Sequence, residues 1–371
     1  MGQISQTPVL VFLNILLILI LLATTYNAFR GKNLSTARTA FIIIVCLLFC
    51  MFSFWGKDWY GYMEYFALVR SGFSSRVPME EFYLWLMADV CSHYIDFRII
   101  VWGLSLLFLL LTFRTLKLNI GLALFFFCNI YLIYFSYARV TLAITMMFYG
   151  YSCICRANHR LYKTLWGIFG VILSFYFHKS APLGISSLLV SLFVLKLGRK
   201  APIILLVSFP IMYMLINTIL NDYFQILLNE DSILSEYATT GALYFDMQNT
   251  RIGISAIINR ILERTPYYLL AYISFKELYK PSIAHPRYIR AFFMAELVLI
   301  VFSSIFIFDF GMNTNILYGR LIRFAQVPSV ILMSYLYDSS IISRTLKLAV
   351  VIGIINCFYT LSYSLYNTMT V

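Results

Sequence analysis

Twelve apolar runs follow one another along this chain, near 8–26, 39–55, 99–113, 120–136, 139–155, 163–177, 181–197, 202–220, 265–280, 289–308, 321–338 and 345–366. Each is roughly 15–22 residues long, and a helix needs about 20 residues to cross a bilayer. The spaces between them are short: the longest is about 45 residues, too little for a soluble catalytic domain. Only 12% of the 371 residues are charged, against about 25% in a soluble domain. The expected fold is therefore an all-α polytopic integral membrane protein of about twelve transmembrane helices, with 1–371 as a single membrane-embedded domain. Any chemistry has to occur at a membrane face or inside the bundle.

The net charge of +12 is explained by the placement of Lys and Arg, without nucleic acid. If the runs alternate in direction, 17 basic residues fall on one side in short loops, with Glu277 and Asp338 as the acidic residues there. The other face and the buried positions share 11 basic and 14 acidic residues. Positive charge marks the cytoplasmic side, so both termini are expected to face outward. The first 26 residues lack a basic region ahead of the apolar run, so they do not read as a cleavable signal. The seven cysteines lie mostly within apolar runs. Cys153 and Cys155 have no second ligand pair, and they read as small core residues rather than a metal site.

Two outward loops are long, 56–98 and 221–264. Each holds an amphipathic stretch: 82–94 is expected as an interfacial or half-inserted helix, and 249–264 as a helix on the surface or over a cavity.

Against positive-inside expectation, the outward face also gathers cations. Residues 174–182 read Ser-Phe-Tyr-Phe-His-Lys-Ser-Ala-Pro, placing His178 and Lys179 beside a helix breaker at a helix end. Arg139 follows the fourth run, Arg251, Arg260 and Arg264 lie in the second long loop, and Arg320 and Arg323 open the eleventh run at i, i+3. A guanidinium binds phosphate bidentately and keeps its charge, so this group suggests an anionic head group, most simply a lipid diphosphate. Taken singly, each arginine also fits snorkelling to lipid phosphates. Asp58, Glu80 and Glu81 lie near the same face, where a carboxylate or imidazole can take a proton from a hydroxyl nucleophile. Aromatics such as Trp55, Trp59, Tyr62, Tyr83 and Trp85 suit sugar stacking and equally suit an interfacial aromatic belt. Glu296 reads as intramembrane, which points to a structural hydrogen bond or ion pair. No nucleotide-binding glycine loop, zinc-protease motif, paired-aspartate motif or inverted repeat is present.

Five segments, in order, resemble the EpsG-like family, relatives of the Wzy polymerases of bacterial polysaccharide assembly. They are Gly-Lys-Asp-Trp-Tyr-Gly-Tyr at 56–62, Glu-Glu-Phe-Tyr at 80–83, Arg-Val-Thr-Leu-Ala at 139–143, Phe-His-Lys-Ser-Ala at 177–181, and Tyr-Gly-Arg-Leu-Ile-Arg-Phe at 318–324. Val140 stands where the family usually has Gln. The resemblance implies a glycosyltransferase that joins repeat units on undecaprenyl diphosphate at the periplasmic face of a bacterial inner membrane. It implies lipid-linked donor and acceptor, neighbouring flippase and chain-length regulator as partners, and neither cofactor nor metal. His178, Asp58 and Glu80 are the candidate bases. Arg139, Lys179, Arg320, Arg323, Arg251, Tyr318 and Tyr62 are the candidate ligands for diphosphate and sugar. Two other readings share part of this pattern. An O-antigen-type ligase shares the cation logic with a different acceptor. A flippase or transporter expects charge along a central pathway.

Overall fold

The computed structural model describes residues 8–30, 34–52, 58–72, 81–133, 138–157, 160–178, 181–211, 214, 254–305 and 322–369. Among these every regular element is helical. In order they are α1 (Pro8–Phe29), α2 (Thr36–Phe52), α3 (Asp58–Arg70), α4 (Glu81–Trp85, running into a π-helical turn over Leu86–Val90) and α5 (Tyr94–Thr115). Next come α6 (Ile120–Phe126, with a π-helical turn over Phe127–Tyr131), α7 (Ala138–Cys155), α8 (Leu161–Phe177), α9 (Ala181–Leu195) and α10 (201–211). The last four are α11 (Ile254–Tyr279), α12 (Arg287–Ile305), α13 (Gln326–Asp338) and α14 (Arg344–Met369).

Local chemistry sets several of the ends. Asn119 caps α6 by accepting from the Leu122 N–H at 3.3 Å, and the His93 N–H donates to Asp96 at 2.8 Å to close a capping box on α5. Within the apolar helices, Thr25, Ser105, Thr112, Thr145 and Ser334 return their hydroxyls to carbonyls four residues back. That is how a buried hydroxyl is satisfied without a partner helix.

The exterior is apolar. Leu165, Trp166, Phe169, Ile172 and Phe175 of α8 and Leu189 and Phe193 of α9 all point outward, the reverse of a water-soluble bundle. Helices over Val11–Phe29, Tyr94–Thr115 and Arg344–Ser362 are long and apolar enough to cross a membrane. Five more apolar helices are shorter, at 10–17 residues. At 1.5 Å per residue, the 17 residues of α2 reach about 25 Å, somewhat under a hydrocarbon core of about 30 Å.

Tight crossings hold the bundle together. A Cβ on Gly150 of α7 would lie 2.5 Å from the Gly167 carbonyl oxygen of α8, so only glycine permits this approach of two helices. α7 and α8 run antiparallel. Arg139 lies eleven residues before Gly150, and His178 eleven after Gly167, so both sit at one end of the pair. The C-terminus of α2 is at that end too. Asn14 donates to the Phe52 carbonyl at 3.3 Å, and Arg98 donates to the carbonyls of Met51, at 2.9 Å, and Cys50. These side chains satisfy last-turn carbonyls that have no intrahelical partner, and the arginine also complements the helix dipole. At the opposite end Phe29 meets Tyr337 with ring centroids 5.2 Å apart, Arg156 donates to the Thr115 carbonyl at 3.0 Å, and His285 meets Tyr335 at 3.2 Å.

Three local expectations change. Of the stretch 249–264, expected as a separate helix on the surface or over a cavity, 249–253 lie outside the described residues and 254–264 are the start of the continuous 26-residue α11. The helix passes through Pro266, which lacks an N–H, and the Thr265 hydroxyl donates to the Ile261 carbonyl at 2.6 Å beside it. The stretch 82–94, expected as one interfacial or half-inserted helix, is divided between elements. α4 and its π-helical turn bury Tyr83, Leu86 and Met87 in the core, and α5 already begins at Tyr94. The first half of the 56–98 loop holds α3, a helix that hydropathy alone had not marked.

Candidate functional site

The site is built around the first turn of α7. The Arg139 Nε donates to the Tyr62 hydroxyl at 2.6 Å, and its Cζ stands 5.0 Å from the centre of the same ring. Tyr62, on α3, is itself buried. Tyr83 of α4 is fully buried and donates to the Arg139 backbone carbonyl at 3.3 Å. One phenol thus orients the guanidinium while another pins its backbone. Arg139 carries four further N–H donors on its two Nη groups, the fork that suits a phosphate. Its field also reaches Tyr65 of α3: burial pushes that phenol above its usual range, and the Arg139 charge pulls the other way.

Aromatic packing carries this arrangement to His178. Phe82 meets Phe177 edge-on at 4.9 Å and Tyr83 at 5.3 Å, and Tyr83 meets Phe97 at 6.1 Å. Such pairs contribute about 0.5–1.5 kcal/mol beyond their buried area. Arg70 at the end of α3 donates to the Ala88 carbonyl at 3.0 Å, tying α3 to the turn after α4. His178 follows Phe177 directly. It ends α8 in an extended conformation, its carbonyl accepts from the Ala181 N–H at 2.9 Å, and its side chain is half-buried.

Arg323 joins from the C-terminal part of the chain. It lies in a helical turn over 322–324, half-buried, and the adjacent Phe324 is fully buried. The Phe324 ring occupies the space where a Cβ on Gly184 would stand, and Met147 of α7 borders the same spot. The first turn of α9, the upper part of α7 and the Arg323 turn therefore interlock. Deeper in the bundle the Ser329 hydroxyl donates to Glu296 at 2.8 Å, which is the structural hydrogen bond expected of that carboxyl.

Of the residues singled out by sequence, Arg139, Tyr62 and His178 are brought to one end of the bundle, and the Arg323 turn packs against α7 and α9. Asp58 opens α3 one turn before Tyr62. Glu80, Lys179, Arg251, Tyr318 and Arg320 lie outside the described residues. The structure gives Tyr83, which the sequence offered only as one of several candidate stacking or belt aromatics, a place against Arg139, and it gives Arg98 a structural role. Among the described residues, no group of three or more His, Cys, Asp or Glu side chains lies close enough to hold a metal ion.

The model of the EpsG family matches residues 36–370, nearly the whole chain. No curated protein and no solved structure matches.

Proposed function

The chain belongs to the EpsG family, and on that premise we propose that it polymerises repeat units carried on undecaprenyl diphosphate at the periplasmic face of a bacterial inner membrane. The observation that carries this reading is the placement of Arg139 and His178 at one end of a bundle with an apolar exterior, with the Arg323 turn packed against α7 and α9, in a family tied to polysaccharide polymerisation. In this reading the chain crosses the membrane twelve times with both termini outward. The lipid-linked donor and acceptor approach from the bilayer, supplied and measured by a flippase and a chain-length regulator.

The reaction is a displacement at an anomeric carbon. A sugar hydroxyl of one lipid-linked unit attacks the anomeric carbon of another. The new C–O bond forms as the bond to the diphosphate breaks, and the diphosphate leaves with the electron pair. The hydroxyl proton passes to a base. Arg139, Arg320 and Arg323, with Lys179, meet the charge that develops on the leaving diphosphate, and fixed donors aimed at developing charge are commonly the largest catalytic contribution. Tyr62 keeps the Arg139 fork oriented before the substrate arrives, which spares reorganisation during the reaction. Tyr318 and Arg251 complete the sugar and phosphate contacts. The base is His178, whose imidazole ordinarily titrates near neutral pH, or a carboxylate of Asp58 or Glu80.

The test is reconstitution. Purified chain in lipid with a defined undecaprenyl-diphosphate-linked unit is expected to give a ladder of products on a gel, and no ladder with the correct substrate sinks the proposal. In the same assay, His178→Gln is expected to shorten or abolish the ladder. Full polymer length in that variant moves the base to the carboxylates.

A further inference from the structure

The opposite end of the bundle holds a second cluster of polar groups that the reaction above does not use. Glu277, near the end of α11, is buried and fully engaged. Its Oε1 accepts from the Ser282 hydroxyl at 2.6 Å, and its Oε2 accepts from the Ser282 N–H at 2.9 Å and lies 2.9 Å from His285 Nε2. His285 completes the set through Nδ1, 3.2 Å from the Tyr335 hydroxyl. These contacts hold the connector between α11 and α12 in a fixed shape.

In front of that connector lies a cleft of about 470 Å³. It is lined by Leu278, Pro281, residues 282–285 and two arginines, Arg199 and Arg290. They come from different parts of the chain. Arg199 sits in the turn Gly198–Lys200 between α9 and α10, and Gly198 has φ +70°, a conformation other residues adopt with strain. Arg290 lies on the first turn of α12.

Among the described residues neither guanidinium makes a side-chain hydrogen bond or an ion pair. Arg156, at the same end, behaves differently: it donates to the Thr115 carbonyl and lies over the Tyr288 ring at 4.6 Å. Two like charges lining one concavity repel each other, and Glu277, which braces the connector, has its oxygens committed to Ser282 and His285. A ligand bearing negative charge relieves that repulsion.

The geometry points to a phosphate-binding site in this cleft, in which the forks of Arg199 and Arg290 clamp a phosphate ester from two sides. Guanidinium forks match phosphate oxygens bidentately. The volume lies within the range of small-molecule sites and admits a phosphate with a glycerol-sized or sugar-sized substituent. Two sources share this chemistry: the headgroup of an anionic phospholipid and a soluble phosphate ester. The site is independent of the polymerisation reading, since it uses none of the residues at the Arg139 end.

The experiment follows the thermal unfolding midpoint of the full chain in a neutral detergent as probes are titrated in. The probes are phosphatidylglycerol, glycerol 1-phosphate and, as a zwitterionic control, phosphatidylcholine. Phosphatidylglycerol is expected to raise the midpoint more than phosphatidylcholine. A matching response to glycerol 1-phosphate assigns the site to soluble esters, and a response to the lipid alone assigns it to a headgroup. Arg199→Gln and Arg290→Gln are each expected to weaken the apparent affinity roughly tenfold or more, the usual worth of a charge-assisted bond. Lys347→Gln, an exposed cation at the same end, is expected to leave it unchanged. Arg290→Lys keeps the charge and loses the fork, and a weakened response there carries the test if the Gln variants do not fold. The proposal is overturned if no anionic probe shifts the midpoint, or if the Arg199→Gln, Arg290→Gln double variant responds like the parent chain.

Discussion

The two ends of this bundle treat their cations differently. At the Arg139 end the arginine is built into the fold: a phenol holds its Nε, another phenol holds its carbonyl, and aromatic rings carry the contact to the end of α8. At the His285 end the acid and the imidazole are built in, while Arg199 and Arg290 line a cleft. A cation oriented in advance suits charge that develops during a reaction, because the cost of orienting it is met on folding. Cations left in a cleft suit a charge that arrives already formed.

The largest expected effect tests the first half of that contrast. Arg139→Gln is expected to slow ladder formation about 10²–10³-fold. The comparable change at the other end, Arg290→Gln, is expected to leave ladder formation within about twofold, since Arg290 lies at the opposite end of the bundle from Arg139. Equal losses from both variants would erase the distinction between the ends.

Glu277→Ala comes next. It removes the acceptor of two Ser282 bonds and the partner of the buried His285 ring. A buried polar group left unsatisfied costs about 1–3 kcal/mol, so the midpoint is expected to fall while ladder formation at the parent growth temperature persists. An unchanged midpoint would show that the dyad does not brace the connector.

The smallest effect comes from Tyr62→Phe. It keeps the ring under Arg139 and deletes the 2.6 Å bond to Nε. A single bond to a charged group contributes about 1.5–3 kcal/mol, and part of that is regained when water or substrate takes the vacated N–H. A drop in ladder rate of about tenfold is expected, below the loss from Arg139→Gln. A loss as large as that of Arg139→Gln would give the Tyr62 hydroxyl a direct role in the reaction.

Much of the architecture was open to reading in one dimension. Apolar runs separated by Pro, Gly and charge locate most helices. Helix α3 escaped because Asp58, Glu64 and Arg70 interrupt its apolar character, and the unbroken course of α11 escaped because Arg260, Glu263 and Arg264 make its first turns polar where the run from 265 is apolar. Arg139 and His178 were found from their positions at the ends of apolar runs. Tyr83 could not be told from an ordinary interfacial aromatic, since composition does not say which rings turn inward.

By itself the sequence determined that this is a helical chain made for an apolar surrounding, that it belongs with the EpsG family over residues 36–370, and that its polar residues collect at helix ends. Those conclusions rest on segment length, local propensity and motif order, which need no knowledge of neighbours. Only the tertiary structure decided that Tyr62 meets Arg139, 77 positions away, that Arg98 caps α2 rather than waiting for a ligand, and that Arg199 and Arg290 share one cleft. Partner choice depends on how each helix is rotated about its own axis and where two helices cross. In a soluble bundle the apolar stripe reveals that rotation. Here α8 and α9 are apolar on their outer faces as well as within, so the stripe is lost, and close glycine contacts such as Gly150 on Gly167 set the register instead.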